Sequence, residues 1–342
     1  MHSQNLKKFR AIDLFAGIGG IRLAFEQAGF EIVYSNDIDK YACKTYRANF
    51  GEIDERNISL VKSTELPDFD ILLAGFPCQP FSMIGKRDGL KDERGQLFFQ
   101  IIRILNDKKP FAFFLENVKH LLRHNGGKTF WFIKKQLEDA GNGYTIFYKI
   151  LNSKNFGLPQ NRERIYIVGI ERPSPEFNFP QHARYARKKT LRDILEAKVD
   201  ETYYLSEKYY TGLLNHKERH KKQGSGFGCE VLDINGIANT LVCGNMGRER
   251  NLIKDKPNKK NRWGIRKLTI REYARLQGFP DSFKIPVSNT QAYKQFGNAV
   301  SIPVVRAIAR ELKNYLTDYT AERTRLSPNI KEIKSRAFIS VG

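Results

Sequence analysis

Three blocks of this 342-residue chain hold residue types whose spacing suits chemistry. The first, Gly75-Phe76-Pro77-Cys78-Gln79-Pro80-Phe81-Ser82, ends an apolar run and puts Cys78 at the carboxyl end of a strand, the edge where open α/β sheets bind ligands. A cysteine after an apolar strand is as a rule a small buried hydrophobe. Here the flanking glycine and prolines argue instead for a shaped loop that presents a thiol, and a thiolate is suited to nucleophilic addition.

The second block, Leu115-Glu116-Asn117-Val118, closes another apolar run, so Glu116 emerges on the same edge as Cys78 if the two strands are neighbours. A lone Glu at a strand end usually caps or faces solvent, and only the thiol makes this one notable. In the third, Phe156 to Arg164, an extended segment turns Arg162 and Arg164 to one face. They could grip a carbonyl, a phosphate or Glu116 itself, or form a salt-bridged loop, and spacing alone does not decide between these.

A cofactor turn lies upstream. The first apolar run ends in Asp13-Leu14-Phe15-Ala16-Gly17-Ile18-Gly19-Gly20, whose glycines let the backbone turn tightly before a helix, and Asp37, twenty residues after Gly17, is placed to accept from ribose hydroxyls. A dinucleotide site would want a third glycine where Arg22 stands, so a cofactor without phosphates fits better. A nicotinamide-dependent dehydrogenase would explain this turn and leave the Pro-Cys and Glu-Asn-Val blocks unexplained.

Apolar runs at Arg10 to Phe15, Glu31 to Ile38, Phe69 to Phe76, Phe111 to Val118, Tyr144 to Leu151 and Arg164 to Ile170 alternate with helical patterns at Ile21 to Ala28, Gln96 to Leu105 and Thr129 to Ala140. The alternation predicts an α/β fold, a Rossmann-like parallel sheet, over residues 1–170. From Glu171 onward Pro173, Pro175 and Pro180 break the pattern, and a smaller, irregular domain is expected over 171–262. Helical signals return at Thr269 to Gln277, where Thr269 and Glu272 make a capping pair, and at Ile302 to Leu316, so 263–316 should rejoin the first domain. The tail, 317–342, shows no clear period.

Composition narrows the partners. No apolar run approaches the roughly 18 residues of a membrane span, and the chain reads as cytoplasmic. The four cysteines, Cys43, Cys78, Cys229 and Cys243, lie far apart without metal-ligand spacing, so no metal site is expected. A net charge of +21 suits a protein that neutralises phosphates. Residues 248–267 hold nine Lys or Arg against two acids, and Arg248 and Arg250, in a glycine-containing stretch, are candidates to reach guanine edges.

Taken together, DLFAGIGG (13–20), NDID (36–39), GFPCQPFS (75–82), RGQLFF (94–99), ENV (116–118), QNRERIYIVG (160–169), RKLTIREYARLQGFP (266–280) and QFGNAV (295–300) resemble, in order and over 10–310, the DNA cytosine-5 methyltransferases. The resemblance implies S-adenosyl-L-methionine as cofactor, S-adenosyl-L-homocysteine as product and double-stranded DNA as partner. It implies Cys78 as nucleophile, Glu116 holding and protonating the cytosine ring nitrogen, Arg164 on the base carbonyl and Arg162 supporting the assembly. Phe15, Gly17, Ile18, Gly20, Asp37, Ile38, Asn57, Ile58, Pro77, Leu97, Asn298 and Ala299 would line the cofactor pocket, and Ser82 and Thr240 would meet DNA. Two positions depart from the family's pattern: Asn57 stands where an Asp is usual and can accept through its amide oxygen, and Ile38 stands where an aromatic residue is frequent.

The implied reaction adds a thiolate to carbon 6 of a flipped cytosine so that carbon 5 can take the methyl group. Gly85 and Gly89 would let the loop after Cys78 close as a lid. The stretch Lys217 to Leu252 resembles the target regions of enzymes that modify CCGG, with CCNGG or CCWGG next. A tRNA cytosine methyltransferase would share the chemistry. A monomer, with a partner restriction endonuclease reading the same site, is the expected setting.

Overall fold

The computed structural model describes residues 8–76, 93–182, 188–225 and 228–337. Its main sheet has six strands: β1 (Arg10–Leu14), β2 (Glu31–Asn36), β3 (Ile71–Ala74), β4 (Ala112–Val118), β5 (Tyr144–Asn152) and β6 (Glu163–Glu171). They lie in the order β2-β1-β3-β4-β6-β5. Alternation along the strands divides the core. Ile71 and Leu73 face the layer that holds Ala24, Phe25, Val305 and Ile308, whereas Leu72 and Ala74 face Phe98, Ile101, Phe130 and Ile133.

The helices of the first layer are α1 (Gly20–Gln27) and α8 (Ile302–Ala337), and those of the second are α3 (Glu93–Lys108) and α4 (Lys128–Asp139). Between β2 and β3 runs α2 (Lys40–Phe50), which the sequence pattern does not announce because it buries only a short face, Ala42, Cys43, Thr45 and Tyr46. The expected Thr269 cap is present. Thr269 Oγ1 accepts from Glu272 N, and the Glu272 carboxylate accepts from Thr269 N, at the start of α6 (Ile270–Gln277).

The expectation of an all-parallel sheet is corrected by β6, which runs antiparallel to both β4 and β5. A period of two along a strand carries no sign of its direction, and the reversal has a chemical consequence. It brings the start of β6, with Arg164 opposite Val118, to the carboxyl edge where β1, β3 and β4 end.

After β6 come short 3-10 turns, the helix α5 (Glu207–Lys222) and a second sheet of β7 (Val231–Leu232), β8 (Leu252–Lys254) and β9 (Ile265–Lys267). This sheet takes its third strand from beyond the expected boundary at 262, because β9 pairs with β8. The region's own apolar cluster is small, built on Leu205, Leu213, Cys229, Leu252 and Ile265. Ala238, Leu241 and Ile253 join the main core instead. The last helices are α7 (Asn289–Asn298) and α8, and α8 continues to Ala337, well past Thr317, where no helix was legible in the sequence.

Candidate active site

The turn after β1 is built on positive φ angles, 55° at Phe15, 56° at Gly17 and 83° at Gly19. A side chain at Gly19 would strike the Phe50 ring at 2.3 Å, whereas the position a Cβ would take at Gly17 has nothing within 4 Å among the described residues. One glycine is therefore demanded by packing, and the other borders open space. Gly17 N donates to Asp37 Oδ2 at 2.8 Å, and Asp39 N to Asp37 Oδ1 at 2.8 Å, so Asp37 ties the turn to the end of β2 while each oxygen keeps a lone pair for a further donor. Burial raises its carboxyl above the ordinary range, against the pull of those amides.

Other expected cofactor residues lie among the described residues. Ile18 and Gly20 are buried beneath the turn, and a Cβ at Gly20 would lie 3.1 Å from Val300. Ile38 is 66% exposed, which leaves its side chain open to cover a flat apolar ring. Asn57 caps a short turn, its Oδ1 accepting from Ser59 N at 3.1 Å, while Ile58 buries its side chain in the core and gives its carbonyl to Arg103. Leu97 is half-buried against the second core layer. Asn298 is exposed at the end of α7, next to the half-buried Ala299.

Contacts far apart in sequence gather these pieces. Lys294 donates to Asp39 at 2.9 Å, Gln295 Nε2 to Tyr41 O at 2.8 Å, and Thr45 Oγ1 to Gln295 Oε1 at 2.9 Å, which fastens α7 to α2. Asn36 Nδ2 donates to the carbonyls of Asp54 and Arg56, holding the 54–58 loop against β2.

Beside the turn lies a buried carboxyl. Glu116 sits near the end of β4 with Arg164 Nε 3.3 Å from its Oε1. Burial raises the Glu116 carboxyl, and Arg164, then Arg162, oppose the rise. A Cβ at Gly75, beyond the end of β3, would lie 4.0 Å from Glu116 Oε2. Asn117 Nδ2 donates to Phe76 O at 3.0 Å. β3 and β4 are neighbours, so the chain leaves β3 toward Cys78 directly beside Glu116. Pro77, Cys78, Ser82, Gly85 and Gly89 lie outside the described residues.

Arg162 is 2% exposed and spends both Nη atoms on backbone carbonyls, those of Leu241, Gly297 and Ala299. Thr240 Oγ1 donates to Asn161 O at 2.6 Å, which sets the Thr240-Leu241 segment beside the start of β6. The Arg248 guanidinium lies 5.0 Å from the centre of the Tyr293 ring, and Arg250 is exposed. The last turn of α5 carries Arg219, Lys221 and Lys222. Among the described residues, no group of three or more His, Cys, Asp or Glu is placed to hold a metal ion, and no helix is long and apolar enough to cross a membrane.

The family model for C-5 cytosine-specific DNA methylases matches residues 9–314. The chain belongs to that family. The methylase is 47% identical over 320 residues to the Type II methyltransferase M.HpaII of Haemophilus parainfluenzae, covering 90% of this chain and 89% of that one. It is 47% identical over 313 residues to the Type II methyltransferase M.NlaX of Neisseria lactamica, covering 90% and 97%. Its fold matches the S. pombe Dnmt2 methyltransferase with a TM-score of 0.73 at 23% identity, covering 90% and 99%. As a member of that family the methylase is a DNA (cytosine-5) methyltransferase, and membership implies S-adenosyl-L-methionine as methyl donor. The open space at Gly17, the spare acceptors of Asp37 and the exposed Ile38 fit such a donor.

Two residues gain a place here that sequence reasoning did not give them. Asn117 was visible only as part of a motif, and its hold on Phe76 depends on β3 and β4 being adjacent. Asp13, read as the start of the glycine turn, is fully buried, and neither of its carboxylate oxygens has a hydrogen-bond partner among the described residues.

Proposed function

We propose that the chain methylates a cytosine in a short duplex site through a covalent Cys78 adduct, with CCGG as the favoured site and CCNGG or CCWGG next. The observation that carries this reading is the buried Glu116–Arg164 pair beside Gly75 and Phe76, at the point where the chain departs toward Cys78. Arg164 is placed to meet the carbonyl oxygen of a flipped base while Glu116 donates a proton to the adjacent ring nitrogen. Cys78 adds as thiolate to carbon 6, and the electron pair moves toward carbon 5. S-adenosyl-L-methionine, when bound, supplies an electrophilic methyl group. Loss of the carbon-5 proton to water and return of the ring-nitrogen proton to Glu116 then let the Cys78 sulfur leave, which frees the thiolate and 5-methylcytosine.

Phe15, Gly17, Ile18, Gly20, Asp37, Ile38, Asn57, Ile58, Pro77, Leu97, Asn298 and Ala299 are assigned to the donor pocket, with Asp37 on the ribose and Ile38 on the adenine. Because Asn57 Oδ1 already caps Ser59, its remaining lone pair is the one free for an adenine amino group. Ser82, Thr240, Arg248 and Arg250 are assigned to DNA, and the setting is a cytoplasmic, monomeric partner of a restriction endonuclease. Bisulfite sequencing of duplex DNA treated with the protein tests the site, and conversion protection away from CCGG-type sequences overturns it. A duplex carrying 5-fluorocytosine at the target should become covalently bound to wild-type protein and not to Cys78→Ser. Labelling of tRNA in place of duplex DNA would reverse the choice of substrate.

A further inference from the structure

We infer that Arg162 is a positioning residue that couples the segment facing the target DNA to the segment beside the cofactor, so that each ligand strengthens binding of the other. The inference rests on the function proposed above and goes beyond it, because that reading requires only that both ligands bind. The Arg162 side chain is buried where three stretches of chain meet. Its Nη1 donates to Leu241 O at 2.8 Å, and its Nη2 to Gly297 O at 3.1 Å and to Ala299 O at 2.9 Å. One planar group therefore holds the Thr240–Cys243 stretch on one side and the turn around Asn298 on the other.

The two stretches also touch without it. A Cβ at Gly297 would lie 2.7 Å from the carbonyl carbon of Val242 and 2.8 Å from Cys243 N, so the backbones pack directly on each other. A glycine with ordinary helical geometry is needed here for close approach rather than for its φ angle. The outer faces are open: Val242 is 42% exposed, and Cys243 and Asn298 are exposed as well. A nearby set of buried amides stiffens the junction. Gln160 accepts from Leu241 N and donates to Leu276 O, and Gln277 donates to Phe296 O. Buried polar groups of this kind are costly to leave unpaired, so displacement of one stretch carries the other with it rather than breaking the set.

A contact made by DNA on the outer face of residues 240–243 thus biases the position of Asn298 and Ala299, and a cofactor held by Asn298 biases the DNA-facing stretch in return. Linkage requires the two effects to be equal. Both Nη atoms are committed to these carbonyls, while the buried Nε has no partner among the described residues.

The test measures binding of S-adenosyl-L-homocysteine by calorimetry, alone and with a saturating duplex that the wild-type protein methylates. Wild type should bind the cofactor product at least about fivefold more tightly with the duplex present. Arg162→Met keeps most of the volume and removes the three donations. It should bind the ligand alone within about threefold of wild type, with the duplex effect reduced to less than twofold. A folded Arg162→Met protein that keeps the wild-type duplex effect overturns the inference. Hydrogen exchange on wild-type protein reads the same link without a substitution. Duplex alone should slow exchange at 297–299, and S-adenosyl-L-homocysteine alone should slow it at 241–243. Response of each stretch only to its own ligand overturns the inference while leaving methylation intact. A protein that neither binds nor methylates any duplex overturns the functional reading and this one with it.

Discussion

The Asn117 side-chain nitrogen donates to the carbonyl oxygen of Phe76 at 3.0 Å, so the residue after the buried carboxyl holds the chain two residues before Cys78. This hydrogen bond joins the end of β4 to the chain that follows β3. Asn117→Ala should lower kcat by about 10- to 100-fold through misplacement of the thiol. Affinity for S-adenosyl-L-homocysteine should change by less than about twofold. Single-turnover methylation with calorimetry in parallel checks both, and an unchanged kcat counts against the role.

Glu116 predicts a falling limb in the pH profile. Burial raises its carboxyl, and Arg164 and Arg162 only partly oppose this, so the acid form persists to higher pH than in an ordinary glutamate. The donor role requires that proton, so kcat should fall as pH rises through the raised value, while the Cys78 thiolate is favoured by the same rise. Glu116→Gln should remove the falling limb and lower kcat by about 100-fold or more. A profile of unchanged shape in that variant would falsify the assignment.

Legibility in the sequence followed the physics of each feature. The six strand positions were readable because their apolar runs are long, and Thr269 was readable because a capping pair is local. The direction of β6 was not, since a reversed strand has the same period, and yet this reversal places Arg164 beside Glu116. Helix α5 leaves no periodic signal in the sequence because it buries only Leu213 and so lacks an apolar stripe. Helix α7 buries Gln295 and Gly297 along with its apolar residues, a face set by contacts some 250 positions away at Thr45 and Tyr41. Strand β9 lies beyond 262 and yet pairs with β8, because Leu252 and Ile265 join across a long loop. At the site, Glu116, Arg164 and Asp37 stood out by type and place. Asn117 did not, because its partner lies on another strand.

Asp13 predicts that stability declines with pH. Burial drives its carboxyl up to about 8 from an ordinary 3.8, against the pull of Arg22, and Asp37 and Glu26 add to the rise. Between those values the native protein holds a proton that the unfolded chain has released, so stability falls from about pH 4 and levels off above about pH 8. Urea unfolding should show a loss of roughly 2–4 kcal/mol from pH 5 to pH 9. Asp13→Asn, which cannot ionise, should flatten most of that slope, and an equal slope in the variant would show that other groups carry it.

The join between the second sheet and α6 rests on a buried ion pair. Arg266 is 1% exposed and Glu272 0%, with Nη1 2.8 Å from Oε2 and Nη2 2.9 Å from Oε1. Glu272 also accepts from Thr269 N and Glu196 N, and Arg266 Nε donates to Asp255 at 2.8 Å, so the pair links β9, α6 and two loops. Removing Glu272 leaves the buried Arg266 guanidinium with only the part-exposed Asp255 as a carboxylate partner, which costs more than the pair itself is worth. Glu272→Ala should therefore destabilise the fold by about 3–5 kcal/mol. Arg266→Met with Glu272→Leu, which leaves only the part-exposed Asp255 without its cation, should recover at least half of that loss by urea unfolding. The double variant should still lose DNA affinity, because Asp255 and Glu196 no longer hold the second sheet in register with α6. A double variant as unstable as Glu272→Ala would mean that the hydrogen bonds to Thr269 and Glu196, rather than the stranded charge, set the cost.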